Sequence, residues 1–379
     1  MEGWPFIPQR GIKEKYEWLT EVIRTKSSEQ RISLRPVPRV KIEQTFQLRG
    51  PEGYAASELA KQYGKTGEMI IPLWSDLLPL SNLSQGAVSL SVGFDDARFI
   101  EGQYVYIIGL DNRFEFKQIE TLTNNSIYLT SALEMSYGEC HVVPALTGLM
   151  SSDWSMTKRS DLYLIGKCEF YISQEIPNSP ANPFPSYLGL TVLTSRPILE
   201  GSKTDKHRRE AIEFDSVAGP ISYQTEYADP ISDGTIMWSL DTRQQIKELR
   251  NWFYVLKGKM TSFYMPRWVN EFQASRPISS GTAYVYIERN PALDHTYVGP
   301  VCIVKRDGSL VFAEIQMISN VNEDEDSLLM TTTFNDTIPL NDIEMVCKLV
   351  EMRLNTDTIE FSYTESNGAD VKASVIEVT

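Results

Sequence analysis

Hydrophobic and polar residues alternate along much of this chain, and the alternation predicts a protein built mainly from short β-strands. Residues 32–35 and 40–48 alternate in this way, and Pro36 and Pro38 interrupt the pattern between them, as expected for an edge or bulged strand. Further along, short apolar runs are separated by Asp-Asn, Asn-Asn and Asp-Gly pairs, which favour tight turns. The pattern therefore predicts a mainly β fold.

Two segments have the spacing of a helix instead. Residues 56–63 form a short helical stretch that ends at Gly64, and residues 244–256 form a longer one that Asp241 can cap. The run at residues 257–259, Lys-Gly-Lys, suits the C-terminus of that second helix. The apolar face of the second helix combines Ile246, Leu249, Trp252, Phe253 and Leu256.

The chain also repeats itself at a distance of about 195 residues. Residues 69–76 (Met-Ile-Ile-Pro-Leu-Trp-Ser-Asp) recur as residues 263–270 (Phe-Tyr-Met-Pro-Arg-Trp-Val-Asn), and residues 139–143 correspond to residues 343–347. Each copy follows a predicted helix and continues into a stretch of short strands. A long duplicated unit without a recognisable chemical motif indicates a building block rather than a catalyst.

The repeat divides the chain into four parts. We predict two domains, each with strands, one helix and an inserted β module that forms a small barrel or sandwich. The predicted N-terminal arm covers residues 1–30 and contains two helical turns at 16–24. The first domain covers residues 31–172 with its insert at 84–146, and a Pro-rich, partly extended connector follows at 173–210. The second domain covers residues 211–379, with its insert at 281–349 and a tight turn at Asn367.

Composition fits an ordinary globular protein of 379 residues, with 42% hydrophobic and 23% charged residues. Four cysteines lie far apart without a CxxC pair, so we predict buried free thiols in a protein made inside a cell, with disulfides or metal ligands as the alternatives. They are Cys140, Cys168, Cys302 and Cys347.

The net charge of −14 and the isoelectric point of about 4.9 argue against a protein that reads nucleic-acid sequence. The same charge suits a surface that DNA passes without binding, or it aids solubility. The first residues lack a basic start and an apolar run, so we expect no secretory signal. No stretch of apolar residues is long enough to predict a transmembrane helix.

The three histidines do not form a recognisable reactive constellation. We predict that His141 is a strand residue and that His295 is a loop residue rather than a metal ligand. His207 lies in a basic run, Lys-His-Arg-Arg at 206–209, which we interpret as a solvated loop with a phosphate or partner contact as the alternative. Motifs of metalloproteases, serine hydrolases and nucleotide-binding loops do not occur in the sequence.

Acidic runs give no stronger signal. Residues 323–326, Glu-Asp-Glu-Asp, lack the spacing and the glycine of a calcium loop, so we predict an exposed turn, and another at Asp95 and Asp96. We therefore assign no catalytic, cofactor-binding or metal residues and expect no cofactor. Trp74 and Trp268, at matching positions of the repeat, are predicted core or interface anchors, with a carbohydrate-stacking platform as the alternative.

Two groups of residues resemble a known family. Residues 16–23 (Tyr-Glu-Trp-Leu-Thr-Glu-Val-Ile), followed by Ser-Glu-Gln-Arg at 28–31, resemble the opening of tail proteins of long-tailed bacteriophages, where a helix precedes the first strand. Residues 244–259 and the Phe-Tyr-Met-Pro-Arg-Trp strand at 263–268 resemble the helix, turn and strand of distal-tail proteins. The first copy keeps only Lys-Thr-Gly at 65–67 and Ile-Ile-Pro-Leu-Trp at 70–74.

The resemblance implies two tandem tail-tube-like domains, each a β-sandwich or split barrel with a flanking helix and an inserted small β-barrel. Proteins of this kind form rings through contacts between sheets, here a trimer with pseudo-six-fold symmetry or a hexamer with two stacked layers. The implied function is a structural protein of the virion tail, made in the bacterial host cytoplasm, that joins tail-tube, hub and tip proteins in a baseplate. DNA would pass through its channel without specific binding.

Two other functions compete with this one. A carbohydrate-binding receptor module of the tail tip, active in host attachment, is favoured by the β-rich inserts and the 18 tyrosines. A glycan-degrading or peptidoglycan-degrading tail enzyme is supported only by the abundance of carboxylates. We expect a structural protein and not an enzyme.

Overall fold

β-Strands contain 52% of the residues, which confirms the prediction of a mainly β fold. Most strands join one large antiparallel sheet, and the described part of the chain also holds two α-helices. The structure is a computed structural model. It describes residues 2–9, 11–24, 29–93, 97–160, 162–173, 181–198, 204–208, 211–215, 217–225, 231–291, 295–364 and 368–378.

The elements are numbered in chain order. The strands up to residue 172 are β1 (Ile12–Glu17), β2 (Thr20–Arg24), β3 (Glu29–Ser33), β4 (Arg39–Arg49), β5 (Met69–Pro72), β6 (Leu78–Leu83), β7 (Ser89–Ser91), β8 (Tyr104–Gly109), β9 (Phe114–Thr123), β10 (Ser126–Leu129), β11 (Tyr137–Met150), β12 (Ser155–Lys158) and β13 (Tyr163–Ile172). The later strands are β14 (Ser186–Tyr187), β15 (Leu190–Val192), β16 (Thr204–Arg208), β17 (Ala211–Phe214), β18 (Ser222–Thr225), β19 (Ile231–Leu240), β20 (Phe263–Pro266), β21 (Tyr284–Glu288), β22 (Gly299–Lys305), β23 (Leu310–Asn320), β24 (Glu325–Met330), β25 (Ile343–Leu354), β26 (Thr358–Tyr363) and β27 (Ala369–Glu377). The helices are α1 (Gly50–Gln62) and α2 (Arg243–Leu256), with 3-10 turns at Trp74–Asp76 and Leu340–Asp342.

One pattern of strand pairing occurs twice. We call β4–β13 with α1 the first half, and β19–β27 with α2 the second half. In the first half β13 lies between β4 and β12, and β11 pairs with β5, β8 and the end of β13. In the second half β27 lies between β19 and β26, and β25 pairs with β20, β22 and the end of β27. The repeated sequence thus corresponds to a repeated topology.

The inserts follow one pairing order as well. The first runs β7-β10-β9-β8-β11, and the second runs β21-β24-β23-β22-β25. Each insert has its own cluster of buried apolar side chains. Gly308, with φ +84°, makes the tight turn between β22 and β23 that Asp-Gly predicted, whereas Asn367 lies outside the described residues.

Helix α2 confirms most of its prediction. All five residues of the predicted apolar face are buried, and the helix ends at Lys257 and Gly258, both with positive φ. Its N-cap is Thr242, however, and not Asp241. The Thr242 hydroxyl accepts a hydrogen bond from Gln245 N at 3.2 Å, and the Gln245 side chain accepts one from Thr242 N. These reciprocal hydrogen bonds form a capping box, which makes Thr242 the N-cap of α2.

Helix α1 is longer than predicted, because it begins at Gly50 rather than at residue 56. The sequence did not predict this start, because glycine and proline are poor helix formers in a helix interior and the first turn contains Gly50, Pro51 and Gly53. Proline is well tolerated in the first turn, where its missing N–H has no acceptor to lose. The Glu52 side chain then accepts a hydrogen bond from Arg49 N at 2.8 Å.

The predicted helical turns at residues 16–24 are wrong. Residues 12–17 form β1, and β2 pairs with β3 in a separate hairpin. β1 lies between β4 and β26, which satisfies backbone groups on both of these edges, and this gain outweighs local helix propensity. The connector at 173–210, predicted to be partly extended, contains the strands β14 and β15, which form a hairpin; β15 pairs parallel to β20, and Leu193 is fully buried.

Candidate functional site at the junction of the two halves

β1 joins the two halves into one continuous ladder of strands. Along one edge its residues 13–17 pair with residues 39–43 of β4, and along the other its residues 12–17 pair with residues 358–363 of β26. The order across the ladder is therefore β12-β13-β4-β1-β26-β27-β19-β16. A strand from near the start of the chain thus connects β4, at residues 39–49, with β26, at residues 358–363.

A group of polar side chains is buried under this junction. Glu14, in the middle of β1, is 1% exposed and receives two hydrogen bonds from Arg98, from Nη2 to Oε1 at 2.7 Å and from Nη1 to Oε2 at 2.8 Å. Such parallel bonds between guanidinium and carboxylate are strong and geometrically specific. We call the whole group the junction cluster; its members are Glu14, Tyr16, Ser75, Asp76, Arg98, Arg250, Tyr254 and Tyr363.

Asp76 supplies the second carboxylate of the junction cluster. Arg98 donates to it from Nε at 2.6 Å, from Nη2 at 3.1 Å and from its backbone N at 2.9 Å. Ser75 donates its hydroxyl to Glu14 at 2.5 Å and accepts from Arg98 Nη2. The 3-10 turn after β5 places Ser75 and Asp76 beside Glu14 and Arg98. The first half therefore contacts Glu14 directly through the Ser75 hydroxyl.

The second half contributes from α2 and β26. Tyr363 donates its hydroxyl to Glu14 at 3.3 Å, and Tyr16 of β1 donates to the same oxygen at 3.0 Å. Arg250 is buried on α2, and its Nη1 has no hydrogen-bond partner among the described residues. Tyr254, one helical turn further on, packs edge-on against Tyr16 at 5.6 Å between ring centroids. The junction cluster therefore ties β1 to both halves.

Burial and charge act against each other on the two carboxyls. Burial alone would raise the pKa of Glu14, but the nearby positive charge and hydrogen bonds of Arg98 outweigh it and hold this pKa below its usual range. The pKa of Asp76 is lowered in the same way, since Arg98 and Arg250 overcome the effect of burial. Burial raises the pKa of Tyr254 to about 12. Both carboxylates are thus charged at neutral pH.

This arrangement holds chain segments together. Both carboxylates already accept several hydrogen bonds from Arg98, and buried carboxylates that are paired in this way favour one fixed geometry. A cavity of about 350 Å³ lies beside the cluster and is lined by Ile12, Trp74, Ser75, Leu77, Tyr363 and other residues. Arg243 of α2 donates a hydrogen bond to the Leu77 carbonyl, which adds a further contact between the halves.

The histidines lie apart from the junction cluster. His141 is half-buried in β11, as predicted for a strand residue. His207 lies in β16, where its backbone pairs with Ser232, so the interpretation of residues 206–208 as a loop is wrong. The backbone of β19 supplies hydrogen-bonding partners to residues 204–208, and local sequence patterns do not predict this pairing. The alternative of a phosphate or partner contact stays a prediction.

His295 lies in a turn, as predicted, and its Nε2 is 3.3 Å from Asp326 Oδ2. Asp326 is fully buried and also accepts a hydrogen bond from Asn320 Nδ2 at 3.1 Å. The prediction of an exposed turn at 323–326 is therefore wrong for its last two residues, because β24 begins at Glu325, which is half-buried, and directs Asp326 inward. Asp95 and Asp96 lie outside the described residues.

Both repeated tryptophans are buried, which confirms that they anchor the core. Trp74 is 6% exposed and packs edge-on against Tyr106, and Trp268 is 5% exposed with the Arg196 guanidinium 5.4 Å from its ring centre. Neither ring is open to stack on a sugar. The four cysteines are buried free thiols, as predicted.

Across the described ranges, no set of three or more His, Cys, Asp and Glu side chains is placed to hold a metal ion. Over the same ranges, neither helix has the length and apolar character needed to cross a membrane.

A second candidate surface is the two-stranded hairpin of β17 and β18, which we call the β-arm (residues 211–225). All of its described side chains are exposed. Many are large and apolar, although a hairpin of two strands is only marginally stable by itself in water. The exposed apolar residues are Ile212, Phe214, Val217, Ile221 and Tyr223.

Two strands end the ladder of the junction. β12 pairs only with β13, and β16 pairs only with β19, among the residues that the structure describes. Their outer edges carry backbone groups that another strand can pair with, a feature that natural proteins usually protect. The β-arm continues from the β16 end, so both features mark this edge as a candidate contact surface.

Sequence reasoning missed the junction cluster entirely. Glu14 lies in the alternating run Lys-Glu-Lys-Tyr-Glu, where it reads as one more surface charge, and Arg98 is a single arginine in a loop. Only Ser75 and Asp76 fall inside the repeated motif, and the second copy replaces them with Val269 and Asn270. That difference between the copies is the one signal that marks this turn as special.

A scan against protein-family models finds no match to this chain, and a search of curated proteins finds no similar sequence.

Proposed function

We propose that this chain is a structural subunit of a bacteriophage tail that assembles into a ring at the distal end of the tail tube. The observation that carries the proposal is the end-to-end joining of two topologically equivalent halves through β1. Units that join in this head-to-tail manner, with free edges left at both ends, form rings when the rotation closes.

Three further features support this role. The motifs around α2 and β20 resemble those of distal-tail proteins, and the duplicated topology with an inserted β module fits two tandem tail-tube-like domains. The β-arm offers exposed apolar side chains to a neighbour. The net charge of −14 suits a channel through which DNA moves without sticking. We assign the protein no catalytic role.

Electron microscopy of the purified protein at several concentrations, combined with mass determination, tests the proposal. We expect rings with a central channel, either trimers with pseudo-six-fold symmetry or hexamers with two stacked layers. The location is the virion tail after synthesis in the host cytoplasm, where the ring contacts tube, hub and tip proteins. A protein that stays monomeric, alone and with these partners, and that is absent from virions would contradict it.

A groove in the second insert favours carbohydrate binding as the second candidate. It has a volume of about 320 Å³, and exposed hydroxyl, amide and carboxylate groups surround the half-buried side chain of Phe312. Sugars are bound by such combinations of polar groups and aromatic rings. The exposed polar groups belong to Thr332, Thr333, Asn335, Asp336 and Asp342.

A glycan array tests this second function. Binding that is lost in Asp336→Ala but kept in Asp241→Ala, a change at an exposed acid outside the groove, would support a receptor role. A silent array would count against it and would leave the ring proposal unaffected.

A further inference from the structure

We infer that β16 of one chain pairs antiparallel with β12 of a second copy, and that this contact repeats the β1–β26 junction inside each chain. The inference rests on the proposed self-assembly and specifies the edges and their register. It follows from comparing the two halves strand by strand.

The first step is that β16 occupies on β19 the place that β1 occupies on β4. Leu48 pairs with Leu164, and Leu240 pairs with Ala369; both Leu48 and Leu240 are buried near the end of the strand that precedes a helix. Aligning Leu48 with Leu240 makes residues 39–43 equivalent to residues 231–235. The first set pairs with β1 and the second set pairs with β16.

The second step is that β12 is equivalent to β26. The same alignment makes Lys167 equivalent to Lys372, and these residues pair with Ser155 and Glu360. Residues 155–158 therefore correspond to residues 360–363. In β26 these residues pair with β1 along their second edge, whereas in β12 the second edge has no partner among the described residues.

Hydrogen-bond directions agree with this equivalence. In an antiparallel ladder, successive residues of a strand point their backbone N–H and C=O groups to opposite sides. Because Arg159 N donates to Tyr163 O, the odd-numbered residues of β12 form the hydrogen bonds to β13. Met156 and Lys158 therefore direct N–H and C=O away from the sheet. In the second half Thr364 N donates to Gly368 O, which leaves Phe361 and Tyr363 facing β1. Among the described residues, the backbone groups of β12 that have no partner thus occupy positions equivalent to those through which β26 binds β1.

The internal junction then fixes the register of the external one. Lys13 pairs with Ser362, and Glu14 pairs with Phe361. By equivalence Thr204 of one chain lies opposite Thr157 of the next, and Asp205 lies opposite Met156.

A second copy is the fitting occupant because the two edges correspond to the two sides of a junction that the chain already makes. Pairing them continues the ladder from β16 into β12 of the next chain. The contact is heterologous, so it adds chains in one direction until the ring closes. First and second halves then alternate around the ring.

A disulfide cross-link tests the register. In the double variant Thr157→Cys/Thr204→Cys the new thiols lie opposite each other at a position where the two strands do not exchange hydrogen bonds, which brings their Cβ atoms close. The native thiols are buried and do not interfere. We expect oxidation to give covalent oligomers larger than dimers on non-reducing gels, up to the number of chains in the ring.

Two controls sharpen this test. Each single-cysteine variant is expected to give no ladder, and Thr157→Cys/Arg208→Cys, which moves one thiol four residues along β16, is expected to cross-link at least tenfold less. If rings form without the Thr157–Thr204 cross-link, the inference is overturned and the proposed function stands. If the unmodified protein forms no ring, the proposed function fails and the inference fails with it.

A backbone variant gives a second, independent readout. Met156→Pro removes the N–H that faces the neighbouring chain and leaves the hydrogen bonds to β13 in place, a position where an edge strand tolerates proline. We expect ring formation to weaken at least tenfold with unchanged circular dichroism and melting temperature. Met156→Ala keeps the N–H and is expected to assemble normally. Equal assembly of the two variants would overturn the inference.

Discussion

Arg98 and Glu14 form two parallel hydrogen bonds of 2.7 and 2.8 Å, although they lie 84 residues apart in the chain. Asp76 binds the same guanidinium, and Tyr363, from near the end of the chain, binds the same carboxylate. The pair therefore lies where the N-terminal strand, the first half and the second half meet. This position makes it a sensitive probe of how the halves are held.

Glu14→Gln is expected to lower the free energy of unfolding by about 3–5 kcal/mol, because it removes one charge of a buried, paired group and leaves Arg98 and Arg250 less compensated. Urea unfolding followed by circular dichroism measures the change. Glu58→Gln is the matched control, since Glu58 makes an exposed ion pair with Lys61 on α1. We expect no measurable effect there. Equal stabilities of the two variants would contradict a stabilising role for the junction cluster.

The stability of the protein is expected to fall in acid through Glu14 and Asp76. Their pKa values are lowered in the folded state, so the unfolded chain binds more protons between the folded pKa values and the usual values near 4. Their contribution is complete above the unfolded pKa values and is lost as the pH falls through the folded ones. Besides each other, the groups that face them are Tyr16, Arg98, Arg250, Tyr254 and Tyr363.

Urea midpoints between pH 7 and pH 3 measure this effect. Other carboxyls with lowered pKa values, such as those of Glu43 and Glu115, also contribute, so the informative quantity is the difference between the native protein and Glu14→Gln. That difference should shrink as the pH falls. A difference that stays constant or grows in acid would contradict the assignment.

Gly258→Ala is expected to destabilise the protein by more than about 1–2 kcal/mol, the usual cost of a left-handed backbone for a residue with a side chain. Gly258 has φ +67°, and a Cβ there would meet Asp357 Oδ1 and lie 2.9 Å from Trp18 Cβ. Asp357 in turn accepts hydrogen bonds from Thr20 N and Lys259 N, so the crowding would disturb the turn that anchors β2.

Lys257→Gly is the matched change one residue earlier. Lys257 already has φ +54° and is exposed, so glycine relieves backbone strain while it adds entropy to the unfolded chain. We expect a change within about 1 kcal/mol by thermal unfolding. A larger loss for Lys257→Gly than for Gly258→Ala would show that close packing does not limit this turn.

The thiols are expected to be unreactive in the folded protein. All four cysteines are buried, and burial raises the pKa of Cys140 and Cys168, which disfavours the reactive thiolate. A thiol-specific chromogenic reagent should modify no cysteine within minutes under native conditions and all four in denaturant. A fast native reaction would contradict this burial, and it would also complicate the cross-linking experiment.

The β-arm is expected to contribute to association and not to the stability of the single chain. Ile212→Ser/Phe214→Ser changes two side chains that are about half exposed. We expect an unchanged melting temperature and ring formation weakened at least tenfold, measured by mass photometry across a concentration series. Val88→Ser, at an equally exposed apolar residue of the first insert, is the control. Assembly that is equally sensitive to both would argue against a specific role of the arm.

Local patterns were sufficient where a segment's own residues decide its structure. The apolar face and the Lys-Gly end of α2 lie within one segment, and all of its predicted core residues are buried. The turn at Gly308 and the buried cysteines followed from equally local signals. Even here the boundary depended on a detail, since Gln245 selects Thr242 over Asp241 as the cap.

The N-terminal segment shows where such reasoning stops. Residues 16–24 read as helical turns, yet residues 12–17 form β1 because the edges of β4 and β26 each need a partner. Asp326 and His207 were misassigned for a related reason. Asp326 lies on the inward face of β24, and the backbone of His207 pairs with β19, which the chain reaches only after folding.

The sequence by itself determined the mainly β character, the duplication and the second helix, because alternation and helical spacing lie within single segments and the duplication appears when two segments are compared. Tertiary structure alone decided the junction. Glu14, Asp76, Arg98 and Arg250 are ordinary surface charges in the sequence, and their burial depends on strands and a helix that meet across more than 200 residues of chain. Charges can be buried only where opposite charges and hydrogen-bond donors converge, and that convergence is a property of the folded chain.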